Sequence, residues 1–459
     1  MTTLQLISPI DGSVYAARES LSLNAAKAAV AGARTAQAQW KRRPLTERIE
    51  VVRGFLGQLL AMADEVVPEL AWQMGRPIRY GGEFGGVKER GEYMLSIAET
   101  ALAPIEIENS DAFRRFIARE PLGVVMVIAP WNYPFLTAIN AIIPALVAGN
   151  AVLLKHATQT LLAGERFQLA ADRSDLPKEL FANLALDHAV TEALLGAGLV
   201  NFVNFTGSVG GGKAIERAAA GTFTGIGLEL GGKDPGYVMD DADLDRAAET
   251  LIDGAMFNSG QCCCGIERIY VAESRFDEFV KRAVAIVEGY RLGNPLDAET
   301  TLGPMAHTRF AELVRAQIAD ATAKGARALI DPARFPADAP GTPYLAPQIL
   351  VGVDHAMDVM REESFGPVVG IMPVKDDAEA VRLMNDSQFG LTASLWTADR
   401  ARAEAIGHKI ETGTVFMNRC DYLDPALCWT GCKDTGRGAS LSVLGYHSLT
   451  RPKSFHMRT

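Results

Sequence analysis

The sequence predicts an α/β protein built on parallel sheets, and three observations predict it. Continuous apolar runs such as GVVMVIA, Gly123 to Ala129, have the composition of strands buried on both faces. Segments of helical periodicity alternate with these runs, which implies crossover connections and helices on both faces of a sheet. The length of 459 residues exceeds one ordinary core and implies two or three domains.

From about Leu21 to Met74, apolar residues recur at three- and four-residue spacing, the helical pattern. FRRFIARE, Phe113 to Glu120, alternates as an exposed strand does and reads as half of a hairpin. After the Gly123 to Ala129 strand, PFLTAINAIIPALVAG reads as a helix ending at Gly149, and AVLLK, Ala151 to Lys155, as the next strand. NFVNFTG, Asn201 to Gly207, is a further strand, and SVGGGKAIERAAA opens a helix. A second alternating block starts near Gly232. In DADLDRAAETLIDGAMFNSG, Asp241 or Asp243 can cap a helix, Leu244, Ala248, Leu251 and Ala255 share one face, and Gly260 can end it. ERIYVA follows as a strand, and the alternation runs on to Asn418. The tail HSLTRPKSFHMRT reads as a polar strand or extended arm.

Composition narrows the function. Hydrophobic residues make up 48% and charged residues 22%, as in soluble globular chains. The net charge of −10 argues against nucleic acid as a partner. The longest apolar stretch, Gly123 to Gly149, contains three prolines, so no membrane span is expected. The first twenty residues lack a basic segment followed by an apolar run, so a cytoplasmic location is expected. Six cysteines in this length do not make a disulfide framework. Cys262, Cys263 and Cys264 are adjacent and lack the C-x2-C spacing of zinc sites, so no metal is expected.

Those three cysteines stand in FNSGQCCCGIERIYV, between the predicted helix and strand. A reactive thiol needs a lowered pKa or a nearby base, and donors for any oxyanion it creates. Glu229, in GLELGGKDP, is a carboxylate inside an apolar, glycine-rich run and suits a general base. By residue type alone, small buried thiols and a solvated turn acid remain equally good readings.

PWNYPF, FTGSVGGG, LELGGKDP, FNSGQCCC and EESFGPV, in this order, resemble the signature series of the aldehyde dehydrogenase superfamily, of the NAD(P)-dependent, hydrolytic, non-acylating type. The resemblance implies a Rossmann-like cofactor domain over 1–230, with an oligomerisation hairpin at 103–121. It implies an α/β catalytic domain over 231–435 and a C-terminal arm of the oligomerisation sheet over 436–459. Its G-Q-x-C register makes Cys263 the nucleophile. It makes Glu229 the base, and Asn132 the oxyanion donor together with the backbone N–H of Cys263. The chemistry it implies is oxidation of a small aldehyde to a carboxylic acid through a thiohemiacetal and a thioester on Cys263.

For the cofactor, NAD or NADP, the resemblance implies contacts from Ile128, Trp131, Lys155, Thr158, Gly207, Ser208, Glu363 and Phe365. For the aldehyde channel it implies Tyr133, Phe257, Leu423 and Trp429. It implies a homodimer or a dimer of dimers. Four departures stand out. Ala141 occupies a position where many members carry lysine, and Cys428 one where proline is common. Arg419, Asp421 and Asp424 are expected near the channel mouth. Thr158 stands where NAD-preferring relatives have glutamate, and His156 beside it can add a donor for the 2′-phosphate of NADP. The rival readings are a CoA-acylating enzyme, against which Glu229 argues, and a redox-sensing or non-catalytic chain on the same fold.

Overall fold

A computed structural model describes residues 2–420 and 422–458. Five parallel strands form the first sheet, in the spatial order Gly225–Glu229, Phe202–Thr206, Val124–Ala129, Ala151–His156, Phe181–Asn183. The short strand Gly436–Arg437 lies antiparallel on the outer side of Gly225–Glu229. The chain winds outward from Val124–Ala129 in one direction, then returns to wind in the other. Its direction therefore reverses between Val124–Ala129 and Phe202–Thr206, where a crevice opens above the carboxyl ends of an open parallel sheet. Pairing aligns Ile128 with Lys155 and Phe205, and Thr206 with Glu229. Three residues of the expected site, Ile128, Lys155 and Glu229, are thereby set at the carboxyl end of one sheet.

The second sheet runs Arg327–Ala328, Gln348–Val351, Val368–Val374, Ile266–Ala272, Asp234–Val238, Thr392–Trp396, Thr414–Met417, all parallel except the first pair. A third, antiparallel sheet joins Ile105–Asn109, Phe113–Pro121 and Thr450–Arg458. Phe116 stacks on Phe455 across it, with centroids 4.6 Å apart. Its edge strand exposes Ile105 and Ile107.

The Leu21 to Met74 periodicity resolves into three helices, Leu23–Trp40, Leu45–Leu60 and Ala63–Met74. The helix Pro134–Ala148 ends at Gly149, whose φ of +99° and contact with Arg48 Nη1 leave no room for a Cβ. Of the two possible caps for Leu244–Met256, Asp243 is the one used, accepting from the Arg246 N–H. Asp241 instead accepts from Thr397 Oγ1 and the Ala398 N–H. This helix stops at Met256, short of Gly260, and a 3-10 turn, Phe257–Gly260, takes over. Sequence pattern did not reveal Gly225–Glu229 and Asp234–Val238 as strands, because glycine and proline mask short segments that only tertiary pairing stabilises. Among the described residues, no helix is long and apolar enough to cross a membrane.

Candidate active site

The three cysteines follow the 3-10 turn. Asn258 and Ser259 within that turn hold φ of +55°, an uncommon conformation for residues with a side chain. Buried hydrogen bonds over-determine it. Ser259 Oγ donates to the Gly303 carbonyl at 2.8 Å, and Gln261 Oε1 accepts from the Ala306 N–H at 2.8 Å. Gly260 has φ +70°, and a Cβ there would lie 2.2 Å from the Gly366 carbonyl oxygen. Glycine is required because the Glu363–Phe365 loop packs directly on the cysteine turn.

Cys262 and Cys264 are buried, while Cys263 is half-buried. The Sγ atoms of Cys262 and Cys264 are 3.5 Å apart. Hydrogen bonds from Cys263, Cys264 and Tyr133 hold the Cys262 thiol well below its ordinary range. The bond to Cys262, together with burial, pushes Cys263 and Cys264 well above it. The three therefore titrate as one set, in which ionising one thiol raises the others.

Glu229 sits at the carboxyl end of its strand. Burial pushes its carboxyl up, opposed by hydrogen bonds from Ser440 and Thr206 and by the charge of Arg90. Ser440 Oγ donates to Glu229 Oε1, and Thr206 Oγ1 donates to Glu229 Oε2 at 3.2 Å. Both oxygens are thus oriented by hydroxyls. Neither hydroxyl had a signal in the sequence, since isolated Ser and Thr carry no pattern.

Asn132 is buried, and its Nδ2 donates to the Gln261 carbonyl at 3.3 Å. One N–H of its amide is therefore held against the cysteine turn, which leaves the second N–H of that group for another acceptor. Arg76 organises this region. Nη2 donates to the Asn132 carbonyl at 2.5 Å, Nε donates to Asn258 Oδ1 at 3.2 Å, and the guanidinium lies 4.8 Å from the Tyr133 ring centroid. Arg76 is paired at 2.7 Å with Glu83, and the pair is buried. The other oxygen of Glu83 accepts from the N–H groups of Phe135 and Leu136 at 2.9 and 2.7 Å. A carboxylate there satisfies orphan donors at the start of the helix Pro134–Ala148 and complements its dipole. Arg76 and Glu83 were not legible as site residues, because their partners lie 56 and 52 positions away.

Cys262, Cys263, Cys264 and Glu229 line one cavity of about 210 Å³. Tyr133, Phe257, Leu423 and Trp429 line it too, with Arg90, Thr137, Asn140 and Asp253. Arg419 lies 3.9 Å over the Tyr422 ring, and Asp424 accepts from the Ala426 N–H; neither lines the cavity. Asp421 falls outside the described residues. Ala141 is buried within its helix.

On the crevice side, Ser208 caps the helix Val209–Ala219 by accepting from the Gly211 N–H, and the Gly207 N–H donates to the Glu229 carbonyl. Glu363 Oε1 accepts from the Gly232 N–H at 3.0 Å, and burial together with nearby Glu267 pushes its carboxyl up to about 8. Glu267 accepts from the N–H groups of Ser364 and Phe365 and pairs with buried Lys233, which fixes the loop carrying Glu363 and Phe365. Trp131 meets Phe365 edge-on at 5.5 Å and stacks on Phe310 at 5.4 Å. Burial lowers Lys155 to about 8. Thr158 opens a 3-10 turn and is half-buried. His156 corrects the expectation from sequence. It is buried, with Nε2 3.1 Å from the Pro134 carbonyl and Nδ1 3.0 Å from Thr160 Oγ1, so neither ring nitrogen is available to a phosphate.

These residues fit a dinucleotide. A buried lysine with no ion-pair partner among the described residues stands at the carboxyl edge of the sheet. On the same side of the sheet is a capped helix N-terminus, suited to phosphate, with open space at Gly210 in its first turn.

A sequence model described as the aldehyde dehydrogenase family matches residues 1–455. A succinate semialdehyde dehydrogenase [NAD(P)+] of Escherichia coli is 32% identical, over 93% of this chain and 91% of that protein. A succinate-semialdehyde dehydrogenase structure from Burkholderia pseudomallei superposes with a TM-score of 0.95, at 29% identity over 100% of this chain and 95% of that one. An NADP-dependent glyceraldehyde-3-phosphate dehydrogenase from Bacillus halodurans, solved with NADP, superposes with a TM-score of 0.93, at 31% identity over 100% and 96%. With its three thiols and the Glu229 carboxylate in one cavity, the chain belongs to the aldehyde dehydrogenase family, enzymes that oxidise aldehydes to acids with NAD(P).

Proposed function

We propose that Cys263 is the nucleophile of this aldehyde oxidation and Glu229 the base that completes it. The observation that carries the reading is that Cys263 is the half-buried member of the three thiols and lines the same cavity as Glu229. The Cys263 sulfur adds to the aldehyde carbon, and the carbonyl electron pair moves to oxygen. The Asn132 amide and the Cys263 N–H stabilise that oxyanion; one such donor contributes roughly 3–4 kcal/mol. Bound NAD(P) supplies the hydride acceptor. Loss of hydride with re-formation of the carbonyl leaves a thioester on Cys263. Glu229 takes a proton from water as the water oxygen attacks the thioester carbon; the carbon–sulfur bond breaks, and acid and thiolate separate. The half-buried, twice hydrogen-bonded Glu229 supports hydrolysis over transfer to CoA.

Ile128, Trp131, Lys155, Thr158, Gly207, Ser208, Glu363 and Phe365 would hold the dinucleotide, and Tyr133, Phe257, Leu423 and Trp429 the aldehyde. With Thr158 in place of a carboxylate, NADP is accepted at least as well as NAD. The domains divide as cofactor-binding 1–230, with its inserted hairpin 103–121, catalytic 231–435 and C-terminal arm 436–459. The enzyme is a cytoplasmic homodimer or dimer of dimers. The exposed Ile105 and Ile107 on a free sheet edge support assembly through the antiparallel sheet.

The test is Glu229→Gln under single-turnover conditions. The expected trace is a burst of reduced cofactor followed by a slow phase, since the amide cannot take the proton from water. Unchanged steady-state turnover would exclude Glu229 as the base.

A further inference from the structure

The cavity that holds Cys263 contains a cation with no counter-ion among the described residues. Arg90 lies on the helix Phe84–Leu102, and Asn140 on the facing helix Pro134–Ala148; both line the cavity. Arg90 is 8% exposed and Asn140 2%. Arg90 Nη1 donates to the Leu136 carbonyl at 3.1 Å and to Asn140 Oδ1 at 3.3 Å. Arg76 and Lys233, also buried, each pair with a buried carboxylate, whereas Arg268 is bonded to backbone carbonyls instead. Arg90 has no such carboxylate among the described residues. By accepting from Arg90, Asn140 has its orientation fixed, and its Nδ2 is left buried without a hydrogen-bond partner.

Two neighbouring side chains therefore present only donors. A guanidinium has five N–H groups and no acceptor, and the amide end left over is a donor too. Burying such groups unpaired is costly, so a partner is expected from outside the chain. Both oxygens of Glu229 are taken by Ser440 and Thr206, which leaves that carboxylate only a longer-range attraction for Arg90. Asp253 also lines the cavity. Burial raises both Glu229 and Asp253, and a bound anion must be held by Arg90 and Asn140 against these two acids. A planar carboxylate offers acceptors alone and matches the guanidinium fork.

We propose that Arg90 and Asn140 form a subsite for a carboxylate at the far end of the substrate, so that the enzyme acts on short aldehydes with a terminal carboxylate. This deepens the reading that Cys263 attacks an aldehyde in this cavity and rests on it. The aldehyde carbon lies at Cys263, and the tail is drawn to the wall formed by the two helices.

The experiment compares kcat/KM for succinate semialdehyde, butanal and 4-aminobutanal, with a terminal sulfonate aldehyde as a fourth arm. The native enzyme is expected to prefer succinate semialdehyde to butanal by tenfold or more, and 4-aminobutanal is expected to be the poorest. The sulfonate arm separates a general anion site from a carboxylate site: equal use of the sulfonate would overturn the carboxylate assignment. Arg90→Met should lower the ratio of succinate semialdehyde to butanal by about thirtyfold, the scale of a lost charge-assisted hydrogen bond. Asn140→Asp is nearly isosteric and keeps an acceptor for Arg90, so it carries the test if Arg90→Met does not fold. It gives Arg90 an internal counter-ion and should lower the same ratio. If both variants lower kcat on every aldehyde equally and leave the ratio unchanged, Arg90 serves Glu229 and the proposal fails. Oxidation of butanal without preference for the carboxylate sinks this inference alone, whereas no oxidation of any aldehyde sinks the reading beneath it.

Discussion

The Ser440 hydroxyl donates to the Glu229 carboxylate, joining residues 211 positions apart in the chain. Ser440 is itself fixed by paired backbone hydrogen bonds with Trp429, a residue of the cavity wall. A bond to the charged form of a buried acid favours ionisation, so Ser440 opposes the rise that burial imposes on Glu229.

Ser440→Ala should therefore push the Glu229 carboxyl further up, because a charge-assisted bond to its ionised form is lost. Glu229 must be ionised to take a proton from water. Deacylation falls as pH drops through its pKa, and in the variant this fall begins at higher pH. A profile of kcat against pH, under conditions where hydrolysis is limiting, reads the shift. An acid limb at the native position would mean that Ser440 does not tune Glu229.

The thiol cluster gives a second outcome. Cys263→Ala should abolish aldehyde oxidation, whereas Cys262→Ala and Cys264→Ala should retain it. The Cys262 bond is the largest influence raising Cys263. Its removal lowers the Cys263 pKa, so the alkaline rise in the burst rate should move to lower pH in Cys262→Ala. Stopped-flow detection of reduced cofactor across the pH range decides it. An active Cys263→Ala with a dead Cys262→Ala would reassign the nucleophile.

Glu83→Gln tests the support beneath Asn132. The substitution leaves the Arg76 charge buried without its partner, at a cost of about 3–5 kcal/mol. That is a large part of an ordinary domain's stability of roughly 5–15 kcal/mol. Thermal unfolding should show a clear fall in Tm. Replacing both Arg76 and Glu83 by apolar residues should cost less than Glu83→Gln alone, because no unpaired charge remains. If the single variant unfolds as the native protein does, the buried pair contributes little.

Cofactor choice is the fourth outcome. A glutamate at position 158 would face the 2′-phosphate of NADP, and two unit charges about 4 Å apart repel by roughly 4 kcal/mol at an effective dielectric near 20. Thr158 lacks that charge. The kcat/KM ratio for the two cofactors should not favour NAD by more than about a hundredfold, near 2.7 kcal/mol. Thr158→Glu should move the ratio toward NAD. His156→Ala should leave the ratio alone, because the imidazole is spent on Pro134 and Thr160.

The sequence by itself determined the parallel α/β class, and the resemblance of its motifs to the family's pointed to Cys263, Glu229 and Asn132. Apolar runs and helical spacing are local signals of which face is buried, and the motifs are contiguous, so both can be read along the chain. Only the tertiary structure decided what those residues touch. It turned His156 inward, set the Asn132 amide against the Gln261 carbonyl, put hydroxyls of Thr206 and Ser440 on Glu229, and left Arg90 and Asn140 facing the cavity without an anion. The physical reason is distance along the chain. A hydrogen bond between residues tens to hundreds of positions apart depends on how sheets and helices pack, and an isolated Ser, Arg or Asn carries no periodicity that announces its partner.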